Sequence, residues 1–262
     1  MSRSTFYYQI SHDKDNKNHE LMKEIKFLFE KHHGNYGYRR ITMALHHQGI
    51  KANHKKVQRL MKKMGLYGKT LKKRGRYNSY KGELGTIAPN HIQRHFEASA
   101  PAKKCYTDVT EFKLNNGDKV YLSPILDGYN GEIIAYDVAT RADLKQTFNM
   151  LEQLKKQDNL QGMILHSDQG WQYQHRAYQH FLKTHGIIQS MSRKGNSLDN
   201  GLMENFFGVM KREMFYGCEK IYHTTNELIQ TIHQYIDYYN HERIKIKLKG
   251  LSPVQYRTQS FV

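Results

Sequence analysis

Three acidic residues could do chemistry together if the fold brings them to one place. Asp108 lies in a stretch of alternating apolar residues, Asp168 follows a short apolar run, and Glu204 lies in a stretch with helical periodicity. Carboxylates that converge repel one another, so such a group is stable only when cations neutralise it. Mg²⁺, with Mn²⁺ as a substitute, is the hard cation that suits carboxylates and phosphate oxygens together. A convergent triad would therefore indicate a metal site that acts on phosphate esters.

Two such ions, about 3.5–4 Å apart, could hold a phosphodiester for in-line displacement. One would activate the attacking oxygen, from water or a DNA 3′-OH, and the other would stabilise the leaving oxygen. The same site could then cut DNA or join it, because only the nucleophile changes. Each acid alone is weak evidence, since a strand-end aspartate is more often a turn former and a lone glutamate is more often solvent-exposed.

The sequence from residue 104 onwards predicts an α/β domain with a mixed sheet. Three stretches alternate as strands do, with Asn-Gly pairs between them that are typical of hairpin turns. They span 106–112, 120–126 and 133–139. Short strands at 163–166 and 187–190 alternate with helices at 143–156 and 175–185, and long helices at 198–214 and 224–240 follow. Asp168 would thus lie beyond the carboxyl end of a strand, where α/β sheets bind ligands, and His166 would point to the same face.

The helix predicted at 198–214 carries a polar stripe. Asn200, Glu204, Gly208 and Lys211 are spaced so that they share one helix face. Gly208 leaves room for a large molecule to approach. The stripe would present an amide, a carboxylate and a cation, with Lys211 near a phosphate as a point charge.

The charge of the chain is unevenly distributed. The 262 residues carry a net charge of +17, and residues 1–100 hold 21 Lys and Arg against 7 Asp and Glu. Residues 101–262 hold 20 and 17, so the excess lies in the first part of the chain. A basic region joined to a nearly neutral one favours a nucleic-acid grip beside another activity. A solvated basic face, or a basic protein such as a ribosomal one, is the alternative.

Three helices are predicted in the basic region, at 19–32, 38–48 and 54–64. The second and third are joined by a short turn with Gly49, as in a helix-turn-helix, and Asn53 is a good N-cap for the third. The third helix would expose a basic face suited to DNA phosphates. The residues of this face are Lys55, Lys56, Arg59, Lys62 and Lys63. A plain three-helix bundle with a solvated face is the alternative.

Several classes of protein are disfavoured by composition. Cys105 and Cys218 are far apart and fit no zinc motif, which indicates a reducing compartment. The chain has no apolar run of about 18 residues and no signal-peptide pattern. We therefore expect a cytoplasmic, nucleoid-associated protein with no membrane partner.

The ordered motifs resemble those of a known family. Asp108 in Thr107–Thr110, Asp168 in His166–Gly170 and Glu204 in Asp199–Phe207 look like the D,D-35-E signature, with 35 residues between Asp168 and Glu204. The stretches Ser2–Tyr8, Tyr36–Ile41, Tyr239–Arg243 and Leu251–Val254 also fit. Nearly the whole chain resembles the second-reading-frame transposases of bacterial insertion sequences, which are relatives of retroviral integrases. One departure is Cys105, at a packing position that is often Trp in the family.

This resemblance implies an RNase H-like catalytic core after a small all-α helix-turn-helix domain. The boundaries it suggests are an N-terminal arm at 1–18, a helix-turn-helix-like domain at 19–66, a basic linker at 67–97 and an integrase core at 98–259. The implied activity is Mg²⁺-dependent or Mn²⁺-dependent polynucleotidyl transfer with two ions held by Asp108, Asp168 and Glu204. Residues expected to contact DNA are Arg39, Arg40, Lys55, Lys56, Arg59, Lys62, Asn200 and Lys211.

The family also implies partners. We expect double-stranded DNA, both terminal inverted repeats and target, and at least a dimer on DNA, because two ends must be brought together. A helix-turn-helix segment from an upstream frame, separate or fused, is a further expected partner. Two alternatives stay open: a module that binds element ends without chemistry, which the intact triad disfavours, and a nuclease of the same fold that cuts but does not join.

Overall fold

The computed structural model describes residues 2–4, 14–69, 86–157 and 160–259, which divide into two units. The helical unit contains the described residues up to 69 together with Ile244–Gly250. The α/β unit contains the rest. Much of the expected N-terminal arm and residues 70–85 of the expected linker lie outside the described residues, and the four domain boundaries stay predictions. No helix among the described residues is long and apolar enough to cross a membrane.

The helical unit has the three predicted helices, α1 (Lys14–Lys31), α2 (Tyr38–His47) and α3 (His54–Lys63). The Oδ1 atom of Asn53 accepts a hydrogen bond from the backbone N–H of Lys55 at 2.8 Å, which confirms the N-cap of α3. Gly49 has φ +80° after α2, the left-handed conformation in which glycine ends a helix without strain. The turn between α2 and α3 is therefore short and well defined, as the sequence predicts.

A distant segment completes the core of the helical unit. Ile244 is buried with residues of all three helices, among them Ile25, Ile41 and Val57. Its backbone N–H donates to the Tyr36 hydroxyl oxygen at 2.8 Å. At the other end of the segment, a Cβ on Gly250 would lie 3.3 Å from the Met43 sulfur, and φ there is +88°. A short 3-10 turn, Ile246–Leu248, lies between.

The α/β unit is built on a mixed sheet of six strands. These are β1 (Lys104–Thr107), β2 (Thr110–Lys113), β3 (Lys119–Asp127), β4 (Ile133–Ala139), β5 (Ile164–Ser167) and β6 (Ile188–Met191). β3 pairs antiparallel with β1, β2 and β4, whereas β5 pairs parallel with β1 and β6. β1 and β2 lie end to end along β3 and together occupy one strand position. The sheet therefore has the five strand positions that the sequence predicts.

The first predicted strand, 106–112, is interrupted at Asp108. This residue does not lie inside a strand, because β1 ends at Thr107 and β2 begins at Thr110. Thr107 pairs with Ile125, and one further step in that register places Asp108 opposite Pro124. Proline has no N–H to donate, so the ladder lacks a bond where it breaks. The break leaves the Asp108 side chain at a strand end.

Helices cover both faces of the sheet. α4 (Leu144–Leu154), the short α5 (Trp171–Gln174) and α6 (Arg176–Thr184) supply the buried residues of one face, and α7 (Gly201–Met210) and α8 (Thr225–His241) supply those of the other. A last helix, α9, spans Pro253–Gln259. Cys105 lies fully buried in the first of these cores, as expected for a packing position.

The long helix predicted at 198–214 is divided into three parts. A 3-10 turn spans Ser197–Asn200, α7 follows, and Lys211–Phe215 widen into a π-helix. The π-helical turn contains the buried Glu213, whose carboxylate accepts from Arg243 at 2.6 and 2.7 Å and from the Tyr235 hydroxyl at 2.9 Å. This buried ion pair joins the end of α8 to the π turn, directly before the chain enters the helical unit.

The role of the distant segment in the helical unit can be tested by Ile244→Ala. The side chain is only 5% exposed, and its loss should leave a cavity that destabilises the helical unit by about 2–4 kcal/mol. Amide hydrogen exchange of α2 in the full chain would measure the effect. Ile246→Ala is the matched control, because its side chain is 46% exposed and the change should cost about 0.5 kcal/mol or less. Equal exchange rates in both variants would contradict the role.

Candidate active site

Asp108 and Asp168 lie at equivalent positions on neighbouring parallel strands. Tyr106 of β1 pairs with His166 of β5, so each acid follows its paired residue by two positions. Asp108 Oδ1 accepts from the backbone N–H of Val109 at 2.7 Å, and Asp168 Oδ1 accepts from that of Gly170 at 2.8 Å. Both side chains are half-buried. The sheet thus brings two of the predicted acids to one edge.

The electrostatics of Asp108 reflect this proximity. Burial, followed by the negative charge of Asp168, raises the pKa of Asp108 to about 8. The Val109 N–H lowers this pKa, Glu204 raises it, and Lys211 lowers it. Burial also raises the pKa of Asp168. An ionised pair at this edge is therefore unfavourable unless a cation compensates it.

Glu204 is the least enclosed of the three acids. It lies exposed on α7 and acts on Asp108 through its charge, with a smaller effect than Asp168. Within the described ranges, no three His, Cys, Asp or Glu side chains are close enough to hold one metal ion. The structure therefore brings Asp108 and Asp168 together, whereas Glu204 is near enough to act on Asp108 through its charge but does not complete a three-residue metal cluster.

Asn200 ties the start of α7 to the end of β1. Its Nδ2 donates to the Thr107 carbonyl oxygen at 3.2 Å, one residue before Asp108. Because the Nδ2 atom makes this bond, the orientation of the amide group is fixed and its Oδ1 atom is left as an acceptor. That Oδ1 atom is buried and has no hydrogen-bond partner among the described residues. Asn200 thus has a free acceptor close to the carboxylates.

Asp199 is a residue that sequence reasoning passed over. Its buried carboxylate accepts from Arg193 Nε and Nη2, both at 2.9 Å, from Arg94 Nε at 3.1 Å and from Asn90 Nδ2 at 3.2 Å. The Arg193 hydrogen bonds, helped by Arg94, hold the pKa of Asp199 well below its usual range. Asp199 belongs to the same sequence motif as Asn200, but its arginine partners are 6 and 105 residues away in the chain, so the motif does not reveal the ion pairs. The network anchors the loop that leads into α7.

Lys211 lies near the acids, but not as part of the regular helical stripe that the sequence predicts. Asn200, Glu204 and Lys211 belong to a 3-10 turn, an α-helix and a π-helix, so they do not form one regular helical row. The Lys211 ammonium donates to the Glu111 carbonyl oxygen at 2.7 Å and lies 5.0 Å from the centre of the Phe112 ring. Its charge still reaches Asp108.

His166 lies inside the sheet rather than at its open edge. The ring is fully buried, with Nδ1 2.8 Å from the Ser190 hydroxyl and Nε2 3.1 Å from the Ser192 hydroxyl. Burial lowers its pKa to about 4, so the ring is neutral at pH 7. It cross-links β5 to β6 next to Asp168.

The residues expected to grip DNA lie in the helical unit, apart from Asn200 and Lys211. Lys55, Arg59 and Lys62 are exposed on α3, and Lys56 is half-exposed. Arg39 and Arg40 lie in the first turn of α2, where Arg40 stacks over the Tyr36 ring at 5.5 Å. Their contact with DNA stays a prediction.

The strain at Asp108 predicts that Asp108→Asn stabilises the protein in EDTA. Because folding raises the pKa of this group, the parent loses stability as pH rises from about 4 to 8, and the asparagine variant does not. Because one unit of pKa shift corresponds to about 1.4 kcal/mol, the difference in free energy of unfolding should grow over that range by several kcal/mol in favour of the variant, to about 5 kcal/mol at most. Urea denaturation at pH 5 and pH 8 measures it. Glu97→Gln, at an exposed acid, should show no such trend, and a variant that is no more stable at pH 8 would contradict the electrostatic account.

Comparison with known proteins finds family models that match residues of both units and relatives that align with most of the chain. Models of an integrase core domain match residues 98–197 and 204–261, and a model of an HTH-like domain matches residues 16–74. The chain is 48% identical over 262 residues to the putative transposase InsK for insertion sequence element IS150 of Escherichia coli, covering 99% of this chain and 91% of that one. It is 56% identical over 211 residues to a transposase-like protein of Haemophilus influenzae, covering 80% and 95%.

A third relative and one solved structure extend this comparison. The transposase for insertion sequence element IS904 of Lactococcus lactis is 36% identical over 239 residues, covering 90% of this chain and 92% of that one. A chain of the simian T-cell lymphotropic virus intasome matches 89% of this chain and 74% of its own length, with a TM-score of 0.52 and 15% identity. At that identity the likeness concerns the fold alone, which is RNase H-like.

Proposed function

Since this chain belongs to the insertion-sequence transposases that carry an integrase core domain, we propose that Asp108, Asp168 and Glu204 form its catalytic site. The observation that carries the proposal is the register of β1 and β5, which sets Asp108 and Asp168 at equal heights on one sheet edge. Glu204 approaches from α7 and acts on Asp108 through its charge. The enzyme is a polynucleotidyl transferase, and we assign its catalytic chemistry to these three residues.

The residues fit a divalent cation. The donors are carboxylate oxygens whose mutual repulsion and burial raise the pKa of Asp108, and a buried Asn200 Oδ1 lies close by. Hard cations such as Mg²⁺ and Mn²⁺ favour this set of oxygen ligands. Bound there as a pair, they would supply charge stabilisation at the phosphodiester. Asp108, Asp168 and Glu204 would be the residues that hold them.

The protein's own residues do the positioning. Asn200 and the Asp199 network hold the start of α7 against the end of β1, which keeps Glu204 on the side of the two aspartates. Lys211 places a cation near the same edge, where it suits a DNA phosphate. His166 keeps β5 and β6 in place and takes no part in proton transfer, because both ring nitrogens face buried serine hydroxyls.

The reaction that suits this site has two balanced steps. In cutting, a water oxygen loses a proton and bonds to phosphorus at the element's end, the bond from phosphorus to the 3′ oxygen breaks, and that oxygen takes a proton. In joining, the freed 3′-OH loses its proton and its oxygen bonds to the phosphorus of a target phosphodiester, while the target's own 3′ oxygen leaves and takes a proton. One site serves both steps, because each replaces one oxygen on phosphorus by another.

The helical unit is the part that we assign to duplex recognition. Its basic α3 face, with Arg39 and Arg40 of α2, would contact phosphates at the terminal inverted repeats. The target DNA is a second duplex partner. We further propose at least a dimer on DNA, which pairs the two ends, action at the nucleoid, and cooperation with a helix-turn-helix segment from an upstream frame.

Strand transfer with a labelled element end tests the catalytic assignment. In Mg²⁺ or Mn²⁺ the parent chain, supplied with the upstream segment, should give cut and joined products. Asp168→Asn should lower both by roughly a thousandfold or more, because it removes a ligand needed in each step. Asp118→Asn, at an exposed hairpin position, should retain parental activity.

Three other outcomes would contradict the assignment. Cut product that is never joined would identify a nuclease of the same fold. DNA binding without cutting, in the parent as in the variant, would leave only an end-binding module. Parental activity in the Asp168→Asn protein would remove this carboxylate from the site.

Replacement of the basic residues of α3 tests the duplex grip. Lys55, Lys56, Arg59 and Lys62 together changed to Ala should weaken DNA binding and reduce its salt dependence by about 0.9 for each phosphate that is no longer neutralised. Binding to a duplex in EDTA at several salt concentrations measures this slope. A slope equal to that of the parent would remove α3 from the interface.

A further inference from the structure

We propose that the segment Lys245–Lys249, which follows the last long helix of the α/β unit in sequence, is a third DNA-contacting element of the helical unit. Its ligand would be the phosphate backbone of duplex DNA, bound by Lys247 and Lys249. The proposal rests on the proposed function, because it adds a surface to the duplex grip of α2 and α3.

The first support is the fixed position of the segment. Both of its ends are held in the helical unit, by the Tyr36 hydroxyl at Ile244 and by the close packing of Gly250 on Met43. Between these ends, Leu248 is buried and the chain makes a 3-10 turn. The lysines on this turn are therefore carried by an ordered element rather than by a loose tail.

The second support is the surface that this segment joins. Ile246, 46% exposed, lines a concavity of about 320 Å³ together with Gly37, Tyr38, Arg39 and Arg40. The Tyr38 ring in turn stacks with the ring of His54, the first residue of α3, at 6.3 Å between centroids. One continuous surface thus leads from the N-terminus of α3, through the first turn of α2, to the segment.

This surface coincides with the part of a helix-turn-helix that meets DNA. The N-terminal residues of the second helix of such a motif enter the major groove, while the neighbouring helix crosses the backbone. An element beside the first turn of α2 would therefore lie next to a phosphate strand. Ile246 would give apolar contact to the sugar edge, with lysines on either side of it.

The third support is the charge and backbone of the segment. Residues 244–250 contain three lysines and no acid, and Lys247 and Lys249 are exposed. Lys249 has φ +55°, a left-handed conformation that is uncommon for residues other than glycine and is costly to hold. A lysine thus stands where glycine would suit the backbone better, and that lysine is exposed.

The experiment uses the full chain and a short duplex of mixed sequence in EDTA, which prevents cutting. Lys247→Ala/Lys249→Ala should reduce the salt slope of binding by up to about 1.8 and weaken binding at least about tenfold near 0.1 M salt. Lys247→Arg/Lys249→Arg should restore the parental slope, because arginine keeps the cation. Alanine and lysine share the same Cβ, so thermal stability should not change at position 249.

Two controls separate the proposal from its premise. Lys156→Ala/Lys183→Ala removes the same charge from exposed positions of the α/β unit and should have a smaller effect on the slope. The α3 variant is measured in parallel. A parental slope in Lys247→Ala/Lys249→Ala while the α3 variant is impaired would overturn the segment's role and leave the duplex grip standing. An equal loss in the Lys156→Ala/Lys183→Ala control would also overturn it, and parental slopes in every variant would overturn both proposals.

Discussion

The parallel pairing of β1 with β5 is the constraint on which the rest of the site depends. A parallel pair in register brings equivalent residues to the same height, so the two aspartates beyond Tyr106 and His166 meet without any special loop. The break opposite Pro124 frees the first of them from the ladder. Everything else at the site either buries this pair, balances its charge or brings a third group towards it.

The placement of Asp108 beside Asp168 is electrostatically unfavourable. Burial raises the pKa of both half-buried acids, and the negative charge of Asp168 raises that of Asp108 further. Stability comes from elsewhere: the two apolar cores on either face of the sheet, the buried Glu213–Arg243 pair and the arginine cluster around Asp199. These contacts involve buried side chains, whereas the Glu204 side chain on α7 is exposed.

Much of this could be predicted from residue spacing, and the remainder could not for a definable reason. Alternation and helical periodicity located the strands and the helices, and the motifs identified the acids, because these signals are local. The strand break at Asp108 depends on a proline that lies opposite it in another strand, and the Asp199 clamp on Arg94, 105 residues away. The Tyr36–Ile244 bond spans 208 residues. Such contacts leave no periodic trace in the sequence.

The helical unit is built from two stretches that lie far apart in the sequence, and this limits how its DNA-binding part can be exchanged. Replacing the first seventy codons by those of a cousin with another DNA preference would exchange the three helices but keep the old segment at Ile244–Gly250. The new helices would then pack on a mismatched piece at Ile244 and Tyr36. Recombination between related elements should therefore succeed when both stretches are exchanged together, so that the two stretches evolve as partners.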